Sequence, residues 1–299
     1  MRGKILSTVG GIYTIYSEGV TYNVFPKGNL RYKNKHLTIG DDVEIDDRLV
    51  IIDVYDRKNE LIRPKSSNID QLLIVMSVVE PDLSLELIYK FLTYANMNKI
   101  PSLVAWTKVD KVTDFTQLNI LKEDLKKIGT DLFLLSYDKN TEIERLKNTL
   151  DNKTTIIMGQ TGVGKSSLIN EIDPAFNRKI GEYSNALGRG KHKTKEVVLL
   201  PYKNGFIGDT PGFSSLELGI FKEDLAQYFP GYEELYLDCY FSDCLHQNEK
   251  ECAVKKNIEN GHLSKDAYQT YLKLLSELPY HKERFNKWWK EKSMWPQAY

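Results

Sequence analysis

Along residues 1–62 apolar and polar positions alternate in short β-branched and aromatic runs: "KILSTV", "IYTIYS", "VTYNVF", "DDVEI" and "LVIIDVY". Gly10-Gly11, Glu18-Gly19, Lys27-Gly28 and Asp46-Asp47 punctuate them. A two-residue period bounded by turn residues predicts five strands. Five short strands in succession fit a small barrel of the OB type, with an SH3-like barrel as the competing closure. From about residue 66 the pattern changes. "QLLIVMSVV" (71–79) is a continuous apolar run, as expected of a strand covered on both faces. "LSLELIYKFLTYANM" (83–97) has helical spacing, "SLVAW" (102–106) predicts a strand and "DFTQLNILKEDLKKI" (114–128) a helix. "DLFLLS" (131–136), "EIERLKNTL" (142–150) and "TTIIM" (154–158) continue the alternation. Strands alternating with helices predict a parallel, doubly wound α/β sheet. "EVVLLPY" and "GFIGD" follow as an adjoining strand pair. Beyond about residue 222 the chain turns helical and aromatic, with helices expected over 264–278 and 281–292, the latter carrying Trp288-Trp289. The boundaries expected are 1–65 for the barrel, 66–222 for the α/β domain and 223–299 for a mostly helical domain.

Composition narrows this little. The 299 residues suffice for two or three domains, and the hydrophobic content of 41% is that of a soluble globular chain. No apolar run approaches the ~20 residues that cross a bilayer, and the glycines and polar residues of "MRGKILSTVGGIYTIY" break any signal-peptide core. A cytoplasmic protein without a membrane partner is expected. The 41 basic residues equal the 41 acidic ones, so any nucleic-acid contact must come from local patches. Lys27, Arg31, Lys33, Lys35, Arg57, Lys58, Arg63 and Lys65 recur at the barrel's turns and ends, which favours an RNA-facing barrel surface over a merely solvated one.

The chemistry concentrates in four segments. Gly159-Gln160-Thr161-Gly162-Val163-Gly164-Lys165-Ser166, followed by Ser167, fits the P-loop pattern between a strand and a helix start. Its glycines let backbone N–H groups turn toward phosphate oxygens, Lys165 reaches the β- and γ-phosphates, and the Ser166 hydroxyl ligates Mg2+. Asp209-Thr210-Pro211-Gly212 ends the strand "GFIGD". There Asp209 suits a Mg2+ contact through water, and the Gly212 N–H a γ-phosphate. Between these lies "SNALGRGKHKTKE" (184–196), read as a switch in which Thr194 reaches Mg2+ and the γ-phosphate.

Thr107-Lys108-Val109-Asp110 follows a predicted strand, at the carboxyl end where ligands bind in open α/β sheets. A buried Asp110 carboxylate would accept from guanine N1–H and its exocyclic amine, a donor pair adenine lacks. Lys108 lays its stem along the base. Thr107 stands where the usual form has Asn, which is expected to loosen loop-to-loop hydrogen bonding. Ser136, after the next strand, is placed to close over the base. The three cysteines join a histidine in Cys239, Cys244, His246 and Cys252, a C-x4-C-x-H-x5-C set suited to a closed tetrahedral zinc site with a structural role. Phe213 follows Gly212, where many GTPases carry a water-orienting glutamine, so slow intrinsic hydrolysis is expected. His192 is the in-chain candidate to orient the water, with a solvated or RNA-contacting histidine as the alternative.

Base reader, then P-loop, then "KHKTK", then "DTPG" is the order of a circularly permuted GTPase. With a small barrel in front and "CYFSDCLHQNEKECAV" behind, the chain resembles the small ribosomal subunit biogenesis GTPase family RsgA, also called YjeQ or YloQ. The resemblance covers essentially the whole sequence. It implies GTP hydrolysis to GDP stimulated by the small (30S) subunit, contact with 16S rRNA, a role in late subunit maturation, a monomer, and a bound zinc. Lys165, Thr194 and His192 would carry the catalysis. Two readings compete: a metabolic P-loop ATPase or kinase, against which Asp110 argues, and a zinc-stabilised RNA-binding protein in which GTP is only a structural ligand.

Overall fold

The computed structural model describes residues 1–27, 36–136, 141–176, 197–210 and 216–281. The alternating N-terminal runs form β1 (Arg2–Val9), β2 (Ile12–Ser17), β3 (Val20–Pro26), β4 (Asp42–Ile45) and β5 (Val50–Val54). They close into a barrel in the order β1-β2-β3-β5-β4. Antiparallel pairing of β1 with β4, Gly3 opposite Val43, seals it, and β3 runs parallel to β5. This is the closure of an OB-type barrel rather than the SH3-like alternative. Ile5, Ile15, Val24, Val43, Ile45 and Ile51 fill the interior, each buried. A register shift between Ile5 and Ser7 bends β1, as a bulge at a barrel corner does.

One buried carboxylate ties the barrel to the short hairpin of β6 (Glu60–Leu61) and β7 (Ser66–Ser67). Asp41 is fully buried. It accepts from Thr38 N at 2.7 Å, Arg57 Nε at 2.6 Å, Arg57 Nη2 at 2.8 Å and Ser67 Oγ at 2.6 Å. Gly40 passes so close to the hairpin that a Cβ there would lie 2.1 Å from the Ser67 oxygen. Of the basic residues expected to face RNA, Arg57 is therefore tied to Asp41 and Glu60, and Lys58 pairs with Asp70. Lys27, Arg63 and Lys65 are exposed, and Arg31, Lys33 and Lys35 lie outside the described residues.

The α/β alternation yields β8 (Gln71–Ser77), α1 (Leu85–Met97), β9 (Ser102–Thr107), α2 (Thr116–Lys127), β10 (Asp131–Leu134), α3 (Thr141–Thr149), β11 (Thr154–Met158), α4 (Lys165–Ile172), β12 (Val198–Tyr202) and β13 (Gly205–Asp209). Six strands make one sheet in the order β10-β9-β8-β11-β13-β12. All neighbours are parallel except β12, which folds back antiparallel on β13. β8 and β11 are buried along their whole length, as their unbroken apolar runs require. Leu73, Val75, Phe133 and Ile157 pack with Ile143 and Leu146 of α3 and Leu168 and Ile169 of α4 in one core. The barrel meets this sheet at β13, where the Tyr16 ring stands edge-on to Phe206 at 5.5 Å.

Compactness does not follow chain order. Met1–Leu83, Asn98–Thr113 and Asp131–Ser214 form one unit, and Ser84–Met97, Asp114–Thr130 and Ser215–Tyr299 the other. Helices α1 and α2, which follow β8 and β9 in sequence, thus group with the C-terminal residues. That second unit also holds α5 (Ala253–Glu259) and α6 (Lys265–Glu277). Its centre is aromatic. Tyr89 of α1 stacks on Phe229 at 5.1 Å and 7°, Phe229 meets Tyr271 of α6 edge-on at 5.2 Å, and Tyr232 lies 5.0 Å from Tyr271. Lys90 of α1 bridges to Glu277 at 2.8 Å, and Asn96 Nδ2 donates to Tyr228 O at 3.0 Å. Among the described residues no helix is long and apolar enough to cross a membrane.

Replacing Arg57 by Met would leave the Asp41 carboxylate buried with its counter-charge gone. We expect about 2–4 kcal/mol of lost stability, read as a lower urea midpoint at unchanged slope. An unchanged midpoint would remove Asp41 from its place as the hub of this junction.

Candidate functional site

The P-loop leaves β11 beside β8 and passes it closely. A Cβ at Gly159 would lie 2.1 Å from the Val75 carbonyl oxygen of β8, so only glycine fits. Gly164, at φ 93°, is the residue before α4, a left-handed conformation that favours glycine. It brings the start of α4, with its unpaired N–H groups, to the loop. Lys165 Nζ donates to the Gly159 and Gln160 carbonyls, both at 2.8 Å. An ammonium has three donors, so one is left for an anion in the cradle. Burial pushes the Lys165 ammonium below the ordinary lysine range, with Asp209 opposing. Burial likewise pushes the Asp209 carboxyl up, with Lys165 opposing. Each charge is short of solvent, and an anion with a divalent cation would meet both needs. Ser166 is exposed, and its hydroxyl makes no hydrogen bond to a described residue, so it is available as a Mg2+ ligand. Asp209 ends β13 opposite Ile157 of β11, and Thr210 Oγ1 fastens the next residue to the Ile157 carbonyl at 2.6 Å.

The turn after β9 lies directly on this loop. Thr107 is fully buried, and its hydroxyl donates to the Val163 carbonyl of the P-loop at 2.6 Å. The Thr107 hydroxyl thus gives this position one hydrogen bond to the P-loop. Lys108, at φ 59°, turns its ammonium to the Gly162 carbonyl at 3.2 Å and to the Glu80 carbonyl. Its ammonium is thus held at the loop's glycine. Val109 N donates to Leu135 O at 3.4 Å, and Leu135 N to Trp106 O at 2.7 Å. The segment after β10 therefore braces the turn, with Ser136 one residue further on. Asp110, expected as a buried carboxylate, is exposed, because the 3-10 turn Val109–Lys111 carries it beyond the strand end. His192, Thr194, Gly212 and Phe213 lie outside the described residues, as do Trp288 and Trp289.

The cysteines and histidine converge in the second unit. His246 Nδ1 lies 3.5 Å from Cys239 Sγ, 3.3 Å from Cys244 Sγ and 3.3 Å from Cys252 Sγ. The four ligand atoms all fall within 4.8 Å of one another, the spread of donors around one tetrahedral ion. His246 is fully buried, and burial holds its imidazole down at about 4, so it is neutral and able to ligate. Burial pushes the Cys244 thiol up to about 12 and raises Cys252 too, a set of protons that a metal would displace. The fit to a soft divalent cation is therefore good. Tyr268 OH donates to the His246 carbonyl at 2.7 Å and Tyr271 OH to the Leu245 carbonyl at 3.3 Å, and Tyr232 meets the imidazole edge-on at 6.2 Å. Cys252 Sγ also accepts from Lys255 N at the start of α5, at 3.5 Å. The cysteine spacing pointed to the ligands. The aromatic side chains that position them carry no spacing signal, being scattered from Tyr89 to Tyr271.

Comparison with known proteins agrees over most of the chain. The RsgA GTPase family profile matches residues 54–219, and that of the RsgA N-terminal domain matches residues 2–48. The small ribosomal subunit biogenesis GTPase RsgA 2 of Listeria innocua is 38% identical over 292 residues, covering 95% of this chain and 100% of the relative. RsgA of Streptococcus pneumoniae is 38% identical over 96% of this chain and 98% of its own. Among solved structures, the circularly permuted GTPase YloQ superposes with a TM-score of 0.77 at 32% identity, covering 95% of both chains. YjeQ from Thermotoga maritima superposes with a TM-score of 0.78 at 33% identity, covering 93% of this chain and 98% of its own.

Two outcomes are expected from this geometry. Thr107→Val keeps the shape but leaves the buried Val163 carbonyl without its donor, and should cost about 1–2 kcal/mol in urea unfolding; no loss would mean that the link is not held in solution. Burial holds the Cys244 and Cys252 thiols protonated and the His246 imidazole neutral at pH 7, so zinc uptake should release at least about two protons per ion. A pH-indicator titration of metal-stripped protein reads this directly, and affinity should fall as pH falls. Release of one proton or none would contradict the three-thiolate centre.

Proposed function

Because the chain belongs to the RsgA GTPase family, we infer that it hydrolyses GTP to GDP and phosphate on the small (30S) ribosomal subunit and assists that subunit's late maturation. The observation that carries the reading is the junction of turn and loop: Thr107 and Lys108 hydrogen-bond the carbonyls of Val163 and Gly162. A nucleotide spans its base and its phosphates with one ribose, so a base-reading turn must abut the phosphate cradle. The contact of the Thr107–Lys108 turn with the loop supports that role for the turn, although it precedes the loop in the chain.

In this reading the backbone from Gly159 to Ser167 and the third donor of Lys165 hold the phosphates. Asp110 accepts from the guanine N1–H and amine, Lys108 lies along the ring, Val109 is packed beneath, and Ser136 closes the far side. Being exposed, Asp110 gains its discriminating power only as the bound base covers it, since a carboxylate left in water can exchange one donor for another. Ser166, Asp209 and Thr194 are the Mg2+ contacts, and Gly212 the γ-phosphate donor. Mg2+ supplies neutralisation of charge on the β- and γ-phosphates. Lys165 adds to it from a buried position, where a charge acts through a low dielectric. With Phe213 after Gly212, no side chain there can orient water, and His192 of the switch segment is assigned that task.

The division of labour follows an OB-type barrel over 1–65, a permuted GTPase domain over 66–222 and a zinc-binding helical domain over 223–299. The zinc is structural: Cys239, Cys244, His246 and Cys252 use all four positions and leave none for substrate. The 16S rRNA is the ligand proposed for the barrel, through exposed Lys27 and Lys65. The protein acts as a cytoplasmic monomer.

Single-turnover hydrolysis of radiolabelled GTP by the full chain tests this. Slow release of phosphate alone and release faster by at least about tenfold with 30S subunits are expected, since the in-chain machinery lacks the usual water-orienting glutamine. Equal rates with and without subunits would leave the nucleotide a structural ligand.

A further inference from the structure

The loop that supplies two of the metal ligands also presents a surface that nothing in the nucleotide site uses. Leu237, Tyr240 and Phe241 are 69%, 78% and 45% exposed. The two rings pack edge to face at 4.9 Å and 83°. Large side chains so exposed are costly in water, and a cluster of them marks an interaction site. Their backbone is pinned: Cys239 N donates to Tyr236 O, Tyr240 N to Glu251 O, and Cys244 N to Phe241 O, at 3.3–3.4 Å. Cys239 and Cys244 bracket the pair and converge on His246. The rings are therefore held outward by a fixed frame, and binding them costs little ordering entropy.

Charge says what the surface takes. Residues 233–249 carry five carboxylates and no lysine or arginine, in a chain whose net charge is zero. Two of the five are occupied: Glu233 accepts from Asn96, and Glu249 from the N–H groups of Leu245 and Gln247. The other three, Glu234, Asp238 and Asp243, are exposed and make no ion pair with a described residue. They interleave with the rings along ten residues of chain. A phosphate backbone stacked on the rings would meet the unpaired carboxylates of Asp238 and Asp243, each two residues from a ring in the chain, and be repelled. A guanidinium fits both features. It lies over an aromatic face and forks to a carboxylate at once.

We propose that the loop Glu234–Asp243 docks an arginine-rich segment of a partner protein, its guanidinium groups on Tyr240 and Phe241 and between Asp238 and Asp243. The proposal does not rest on whether the chain hydrolyses GTP on the subunit.

Fluorescence anisotropy on the full-length, zinc-loaded protein tests this with two probes: a labelled peptide of alternating Arg and Gly, and a labelled oligouridylate. The peptide is expected to bind. The Tyr240→Ala, Phe241→Ala double variant should weaken it about tenfold, in line with two desolvated cation–π contacts. Asp238→Asn with Asp243→Asn should weaken it and flatten its salt dependence, and oligouridylate binding should not respond to either pair. Zinc content verifies the fold of each variant. Should the alanine variant lose metal, Tyr240→Leu removes the π face while keeping an apolar side chain there and serves as the same arm. Peptide affinity unchanged across the variants overturns the proposal. So does oligouridylate affinity that falls with the rings, which would make the surface an RNA-stacking platform.

Discussion

The nucleotide site depends on a hydrogen-bond ladder that is indifferent to the order in which the chain supplies its strands. β8 lies between β9 and β11, β13 flanks β11 on its other side, and all four strands end on the same side. Phosphate loop, Asp209 and the Thr107–Asp110 turn proposed to read the base therefore meet at one edge, though the turn comes about fifty residues before the loop. What a sheet fixes is which strand neighbours which. Cutting the chain elsewhere and rejoining its ends leaves those neighbours intact. One hydroxyl, that of Thr107, completes the arrangement by reaching across from β9 to the P-loop.

The second unit is organised by a different force. Tyr89, Phe229, Tyr232 and Tyr271 bury large ring surfaces against one another, and the phenols of Tyr268 and Tyr271 satisfy carbonyls on either side of His246. Hydrophobic burial is non-directional and does not of itself position ligands. Here the rings set the wall, and the phenolic donors set the angle of the loop that carries the imidazole. The thiols then need only lie within reach of Nδ1, as they do. Because Cys252 also accepts the Lys255 N–H at the start of α5, the centre and the first turn of a helix share one sulfur.

Much of this was legible in the residues. The runs "TTIIM" and "GFIGD" coincide with β11 and β13 to the residue, because a buried parallel strand has few ways to read otherwise. The Cys3His set and the P-loop were equally plain, since their spacing is dictated by the ion and the phosphate. What was not legible depends on distance in space. That the Thr107 hydroxyl would reach the Val163 carbonyl depends on where β9 ends beside the P-loop, which the residue type alone does not tell. That Arg57 serves Asp41 rather than a solvated surface depends on the hairpin at Ser66–Ser67, too short to leave a periodic signal. That Asp110 stands exposed follows from a three-residue 3-10 turn of the same kind. The alternation placed α1 and α2 between strands in the chain, but gave no hint that they would group with the residues after 215, because aromatic positions pack by shape and carry no period of their own.

That grouping bears on how the protein can be taken apart. The stacking of Tyr89 on Phe229 makes α1, deep inside the GTPase sequence, a structural member of the unit that holds the Cys3His cluster. A deletion that removes everything after residue 222 would not lift off a detachable appendage. It would strip the cover from Tyr89 and leave Lys90 without Glu277 in the surviving fragment. Modularity in this molecule is thus a property of its surfaces in space, and a truncated chain would confound the loss of the C-terminal residues with damage to the part retained.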